Sequence, residues 1–271
     1  MPGTISARGR DRAMIGFLRT IGAGFLEFIA TAGRITIFAL TAVMHCFRPP
    51  FYFRLIGRQM IDIGYYSLPV VGMTTLFSGM VLALQSYSGF ARFSAESAVA
   101  TVVVLSITRE LAPVLAGLMV AGRVGAAMAA EIGTMRVTEQ IDALTTLSTN
   151  PFKYLIVPRV LAATLMLPVL VAVGDVIGVF GGYVVSIYNL GFNPAAYIKS
   201  TIEYLELIDV VSGLVKAAAF GFLIALMGCY HGFRSRGGAQ GVGAATTNAV
   251  VSASILILIF NYIITTLFFA K

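Results

Sequence analysis

Four ionisable side chains stand within runs otherwise apolar enough to lie in hydrocarbon: the adjacent pair Arg109-Glu110, then Asp175, then Lys216. A charge at the centre of a bilayer costs about 2.5–3.5 kcal/mol on insertion scales, so such groups face a cavity, a partner or a substrate. The chemistry open to them is binding and charge pairing. Arg109 and Lys216 are cations able to attract a phosphate, and Glu110 is an anion able to pair with a cation. As helix neighbours, Arg109 and Glu110 point about 100° apart and cannot simply share one partner. A plainer reading makes all three membrane-boundary anchors that snorkel or pair across helices. Asp175 is left a pairing role within the bundle and no part in transport.

A second polar group follows the first within one stretch of chain. In Glu131–Leu144, Val137, Ile141 and Leu144 fall at i, i+4 and i+7, with Arg136, Glu139, Gln140 and Asp142 on the other side. That spacing predicts one amphipathic helix, either a surface helix with its greasy face on the bilayer or a docking element. Gln85 and Tyr87 end an apolar run, where an interfacial tyrosine is ordinary. His45-Cys46 and Cys229 with His231 lack a neighbouring carboxylate and a recurring spacing, so no metal site is expected.

The elements that position these residues are membrane helices. The chain has 271 residues, 58% hydrophobic and 11% charged, with mean hydropathy +0.89. Soluble domains carry roughly 25% charge, so this surface is mostly for lipid. About 20 apolar residues cross a bilayer. Five stretches suffice, at about 63–84, 101–128, 160–188, 210–230 and 249–270. Ala13–Phe47 is apolar too, but Arg19, Glu27 and Arg34, with Arg8 and Arg12, fall in one sector of a helix roughly 100° wide. This predicts an interfacial (elbow) helix in place of a sixth crossing. A cleavable leader is not expected, because Arg19 and Glu27 interrupt the run after Arg8, Arg10 and Arg12. The layout is then 1–60 as an N-terminal cytoplasmic segment with the elbow, and 61–271 as the five-helix domain.

Basic residues set the orientation. With the N-terminus inside, fourteen fall on the inner side (Arg8 through Arg58, Arg123, Arg136, Lys153, Arg159, Arg234 and Arg236). Only Arg92, Lys199 and Lys271 fall outside, so N-in, C-out is expected. The same bias accounts for the net charge of +7 without nucleic acid. No loop is large enough for a core of its own, and no G-x-x-x-x-G-K-[ST] phosphate loop occurs.

The run Arg109-Glu-Leu-Ala-Pro-Val-Leu-Ala-Gly-Leu-Met-Val-Ala-Gly-Arg-Val-Gly-Ala-Ala-Met-Ala-Ala-Glu-Ile-Gly-Thr-Met-Arg-Val-Thr-Glu-Gln-Ile-Asp-Ala-Leu144 resembles the MlaE-type permeases of MCE-linked ABC phospholipid transporters. The likeness continues through Asn150-Pro151, Pro158-Arg159 and Gly181-Gly182, covering nearly everything beyond the first sixty residues. It implies an all-α polytopic membrane protein: a homodimer in the bacterial inner membrane that moves phospholipid between inner and outer membranes and so maintains outer-membrane lipid asymmetry. The implied partners are a cytoplasmic ATPase dimer holding ATP and magnesium, a possible STAS-domain protein, and an MCE-domain ring outside. The chain itself would bind no cofactor and make no covalent bond. By this likeness Glu131–Leu144 is the coupling helix, with Glu131, Arg136, Glu139 and Asp142 as polar contacts and Val137, Ile141 and Leu144 as its apolar stripe. Arg109, Glu110 and Lys216 would lie by the lipid cavity, with Gln85 and Tyr87 at its rim. A stand-alone ion-coupled transporter or channel is the rival reading, but it expects inverted repeats and none is found.

Overall fold

The computed structural model describes residues 7–91 and 98–269, with side chains placed from residue 22 onward except at 28. The expectations for the side chains of Arg8, Arg10, Arg12 and Arg19, and for Arg92 and Lys271, lie outside the described residues. Among the described residues all regular structure is helical. The chain separates into two compact units, Met1–Phe47 and Arg48–Lys271.

The described part of the first unit holds one long helix, α1 (Ala7–Cys46). Its Gly22–Cys46 stretch is long and apolar enough to cross a membrane. Glu27 is exposed, and Arg34 donates to Thr31 Oγ1 one turn back at 2.7 Å. Among the described residues six helices are therefore long and apolar enough for a crossing, where the sequence predicts five and an elbow.

The second unit holds α2 (Phe53–Phe90), α3 (Val99–Val137), α4 (Gln140–Thr146), α5 (Phe152–Tyr188), α6 (Pro194–Tyr204), α7 (Leu207–Phe233) and α8 (Gly238–Phe269). The expected spans at about 63–84, 101–128, 160–188 and 210–230 fall within α2, α3, α5 and α7, and the fifth, about 249–270, follows α8 as far as the described residues reach. The 38 residues of α2 reach about 57 Å, well beyond a hydrocarbon core of about 30 Å. In the interior, α5 packs along α2 and α7, and α7 packs along α3 and α8. Without water to drive apolar burial, such helices associate through close backbone approach. A Cβ on Gly79 would lie 2.0 Å from the Gly178 carbonyl oxygen, so α2 and α5 touch nearly backbone to backbone. At Gly213 the corresponding distance to the Thr108 carbonyl is 2.4 Å, which brings α7 against α3 beside Arg109.

Helix α3 is not uniform. It widens to π geometry at Ile107–Leu111, around Arg109 and Glu110, and again at Ala121–Gly125, around Arg123. Inserted π turns of this kind concentrate at functional sites. The first has a local cause in Pro113, which has no N–H to give the carbonyl four residues back, that of Arg109.

Candidate functional site

That freed carbonyl has a partner. Lys216 on α7 is wholly buried and donates at 2.7 Å to Arg109 O and at 2.7 Å to Glu110 Oε1. Glu110 also accepts from Asn261 Nδ2 at 2.8 Å (through Oε2) and from Thr265 Oγ1 at 2.9 Å, both on α8. One carboxylate thus joins α3, α7 and α8. Its lone pairs are well used, and it supplies the counter-charge that lets the wholly buried Lys216 ammonium stay away from water.

Arg109 turns to a different partner, as its angular offset from Glu110 requires. Its Nε and Nη2 both lie 2.7 Å from Oδ1 of Asp209, which is fully buried, while the guanidinium is 4.4 Å from the Phe269 ring centroid. Asp209 also caps α7: its Oδ2 accepts from the Glu206 N–H, and the Glu206 side chain accepts from the backbone N–H of Asp209 in return. A carboxylate in the first turn of a helix meets the positive end of the helix dipole. The sequence reading missed Asp209, Asn261 and Thr265. Asp209 could have been found from the reciprocal capping pattern Glu206-Leu-Ile-Asp209.

The cluster has two cations and two anions, and the side chains of Arg109 and Glu110 remain 34% and 39% exposed. Arg109 keeps Nη1 without a partner among the described residues, so it can offer hydrogen bonds to an incoming anion. Lys216 cannot reach a ligand unless its bonds to α3 open. Gln85 and Tyr87 are not drawn into this cluster. Gln85 is exposed on α2, and the Tyr87 ring meets Phe192 edge-on at 5.8 Å. Asp175, expected to pair within the bundle, has a buried Oδ1 with no hydrogen-bond partner among the described residues.

The other polar stretch departs from the single helix expected over Glu131–Leu144. Glu139 adopts φ +60°, so α3 ends at Val137 and a separate short helix, α4, begins at Gln140. The Thr138 and Glu139 N–H groups close α3 onto Thr134 O and Arg136 O. The usual glycine signal for such an ending is absent, and the periodicity runs unbroken across it. The expected residues then divide. Ile141 is buried, Val137 and Leu144 are half-buried, and Glu139 and Asp142 are exposed. Arg136 pairs with Asp142 across the break at 2.6 Å. Glu131 is held at 2.8 Å by Arg159 of α5, so it braces the helices as well as facing outward. Leu147, just past α4, is 74% exposed and was not singled out from sequence. Beside α4 lies a cleft of about 630 Å³ lined by Arg58, Asp62, Glu131, Gln140 and Arg159, among others. Nearby, the second π turn of α3 aims Arg123 at Ser67 Oγ and the Asp62 carbonyl.

At the end of the unit that carries α6, burial pushes the Tyr197 phenol above its ordinary value, keeping it a neutral hydroxyl. Among the described residues no group of three or more His, Cys, Asp or Glu side chains is arranged to hold a metal ion.

Residues 56–267, spanning both polar sites, match the family described as Permease MlaE. The chain belongs to the MlaE permease family. A Rickettsia bellii relative named as a probable ABC transporter permease protein is 62% identical over 256 residues, covering 94% of this chain and 99% of its own. A Synechocystis relative with a similar name is 45% identical over 212 residues, 78% of this chain and 81% of its own. The intermembrane phospholipid transport system permease protein MlaE of Haemophilus influenzae is 34% identical over 269 residues, 98% of this chain and 97% of its own. As an MlaE permease with several long apolar helices, the chain is a multi-pass membrane protein, and its part in an ABC transporter is that of a membrane subunit.

Proposed function

We propose that this MlaE permease is the membrane half of an ATP-driven transporter moving phospholipid between the inner and outer membranes of a bacterial cell, in the service of outer-membrane lipid asymmetry. The observation that carries the reading is mechanical. A single helix, α3, bears Arg109-Glu110 near one end and leads into α4 at the other, with Glu110 and Val137 about 40 Å apart along it. A push on α4 is therefore delivered through α3 to the helix that anchors the charged cluster.

In this reading α4 and the exposed turn through Leu147 dock in a cytoplasmic ATPase dimer, which binds ATP and magnesium and hydrolyses the nucleotide. Glu139 and Asp142 supply polar contacts, Arg136 sets the angle of α4 through Asp142, and Leu147 supplies an apolar anchor. Glu131 contributes through its brace to Arg159. At the opposite end, Arg109 meets the lipid phosphate with its spare donors, and Glu110 and Lys216 hold the backbone that presents it. Gln85 and Tyr87 line the approach. Two copies of the chain enclose the cavity, an MCE-domain ring receives or delivers lipid outside, and a STAS-domain protein sits on the ATPase.

The inner-membrane topology is N-terminus cytoplasmic and C-terminus periplasmic, with α1 lying in the interface. Were α1 to cross, the α2 end bearing Arg54 and Arg58 would stay inside, while Arg8, Arg10 and Arg12 would be carried outside. The positive-inside rule opposes that. The test is co-purification. The ATPase is expected to accompany the wild-type chain and to be lost from the Arg136→Glu/Glu139→Lys variant, with membrane insertion unchanged. Normal ATPase retention by that variant would overturn the docking assignment.

A further inference from the structure

A second cavity lies away from the charged cluster. It holds about 710 Å³ between α3, α5, α6 and the start of α7. That size is within the range that takes one small ligand. Its walls are apolar apart from a few groups, and Val176, Phe180 and Ile202 on its rim are 71%, 58% and 70% exposed. On helices of this hydropathy, a rim so exposed opens sideways into hydrocarbon. The occupant must therefore arrive from the bilayer.

One wall carries an unmet demand. Asp175 lines the cavity, is only 7% exposed, and has its Oδ1 buried without a partner among the described residues. A buried polar atom left unpaired costs about 1–3 kcal/mol, so a donor in the cavity would be held there. In either protonation state a carboxyl group can accept a hydrogen bond, and the complement it asks for is an O–H or N–H. Among the described residues that line it there is no lysine or arginine, so none of them balances a headgroup phosphate. An ionic headgroup is thereby disfavoured, and a neutral hydroxyl on an apolar body fits.

We infer that this cavity is a binding site for a neutral lipid alcohol of the bilayer, with its hydroxyl donating to Asp175 and its chain along α5 and α6. The site is separate from the phosphate-facing Arg109, yet it adjoins it. Thr108 and Val210 line the cavity, and the residues next to them in sequence, Arg109 and Asp209, form the ion pair. An occupant therefore presses on both backbones that present that pair.

The experiment uses the purified full chain and a diacylglycerol carrying a diazirine in one acyl chain, with adducts mapped by peptide mass spectrometry. Labelling is expected on residues 172–183 and 197–205, suppressed by excess unlabelled diacylglycerol and not by phosphatidylglycerol. Asp175→Leu is expected to lower labelling about fivefold and Asp175→Asn, which keeps an accepting oxygen, to leave it within about twofold. The melting temperature of Asp175→Leu should be equal to or above wild type, because an unpaired polar group is removed. Equal labelling of Asp175→Leu, or equal competition by phosphatidylglycerol, would overturn the proposal. So would a disulfide-linked dimer formed by Val176→Cys in membranes, which would mean that a second copy covers the groove. Binding is read on the chain alone, so its failure is separate from any failure of ATP-driven transport.

Discussion

Lys216 Nζ lies 2.7 Å from Glu110 Oε1 and 2.7 Å from the Arg109 carbonyl, so one buried ammonium holds two successive residues of α3. The contact arises because Pro113 leaves that carbonyl without its helical donor. Breaking such an arrangement from one side strands the other. Lys216→Met is expected to destabilise the chain by about 1–3 kcal/mol, while adding Glu110→Gln should restore part of the loss. Thermal unfolding of the two variants in one detergent measures this. Additive losses would mean that the groups are not coupled.

Arg109 and Asp209 form a pair of a different kind, with a part-exposed cation on a buried, helix-capping anion. Asp209→Ala removes both the cap and the ion-pair partner and should cost about 2–3 kcal/mol. Arg109→Gln leaves the cap in place but takes away the cation. Phospholipid transfer by the reconstituted transporter is expected to fall by about tenfold or more in that variant, equivalent to about 1.4 kcal/mol of lost interaction. Unchanged transfer would reduce Arg109 to a structural anchor.

The contact between α2 and α5 depends on the absence of a side chain at Gly79. Gly79→Ala forces the helices apart and is expected to cost about 1–3 kcal/mol in thermal unfolding. Gly89, on the same helix with nothing within 4 Å of a built Cβ, is the control. Gly89→Ala should be neutral or slightly stabilising, because alanine favours helix.

The break between α3 and α4 rests on Glu139 at φ +60°. Glu139→Gly keeps the break, while Glu139→Val should strain it by about 1–2 kcal/mol and weaken ATPase co-purification, since α4 would be aimed differently. Equal retention of the ATPase by both variants would show that the angle of α4 is unimportant.

The helical architecture could be read directly from composition and run length, because a bilayer leaves an apolar chain few alternatives. The angular offset of about 100° between Arg109 and Glu110 followed from helical geometry, and their separate side-chain partners agree with it. Their identities did not follow. Asp209 and Asn261 come together with α3 only through packing across about 100 and 150 residues of sequence, a distance at which periodicity carries no information. The single helix expected over Glu131–Leu144 failed for another reason. Left-handed backbone at a glutamate has no compositional mark, so Val137, Ile141 and Leu144 kept their stripe on paper while the chain bent beneath it. Asp175, expected to pair within the bundle, leaves its buried Oδ1 without a hydrogen-bond partner among the described residues.

The central claim is that force enters at α4 and is delivered to the charged cluster through α3. Phospholipid transfer between donor and acceptor vesicles, with this chain and its ATPase reconstituted together, tests it most directly. Transfer is expected only with both proteins and hydrolysable ATP, and it should be lost in the Arg136→Glu/Glu139→Lys variant while that chain stays inserted. Transfer by the chain alone at the same rate, or full ATP-driven transfer by the variant, would contradict the account.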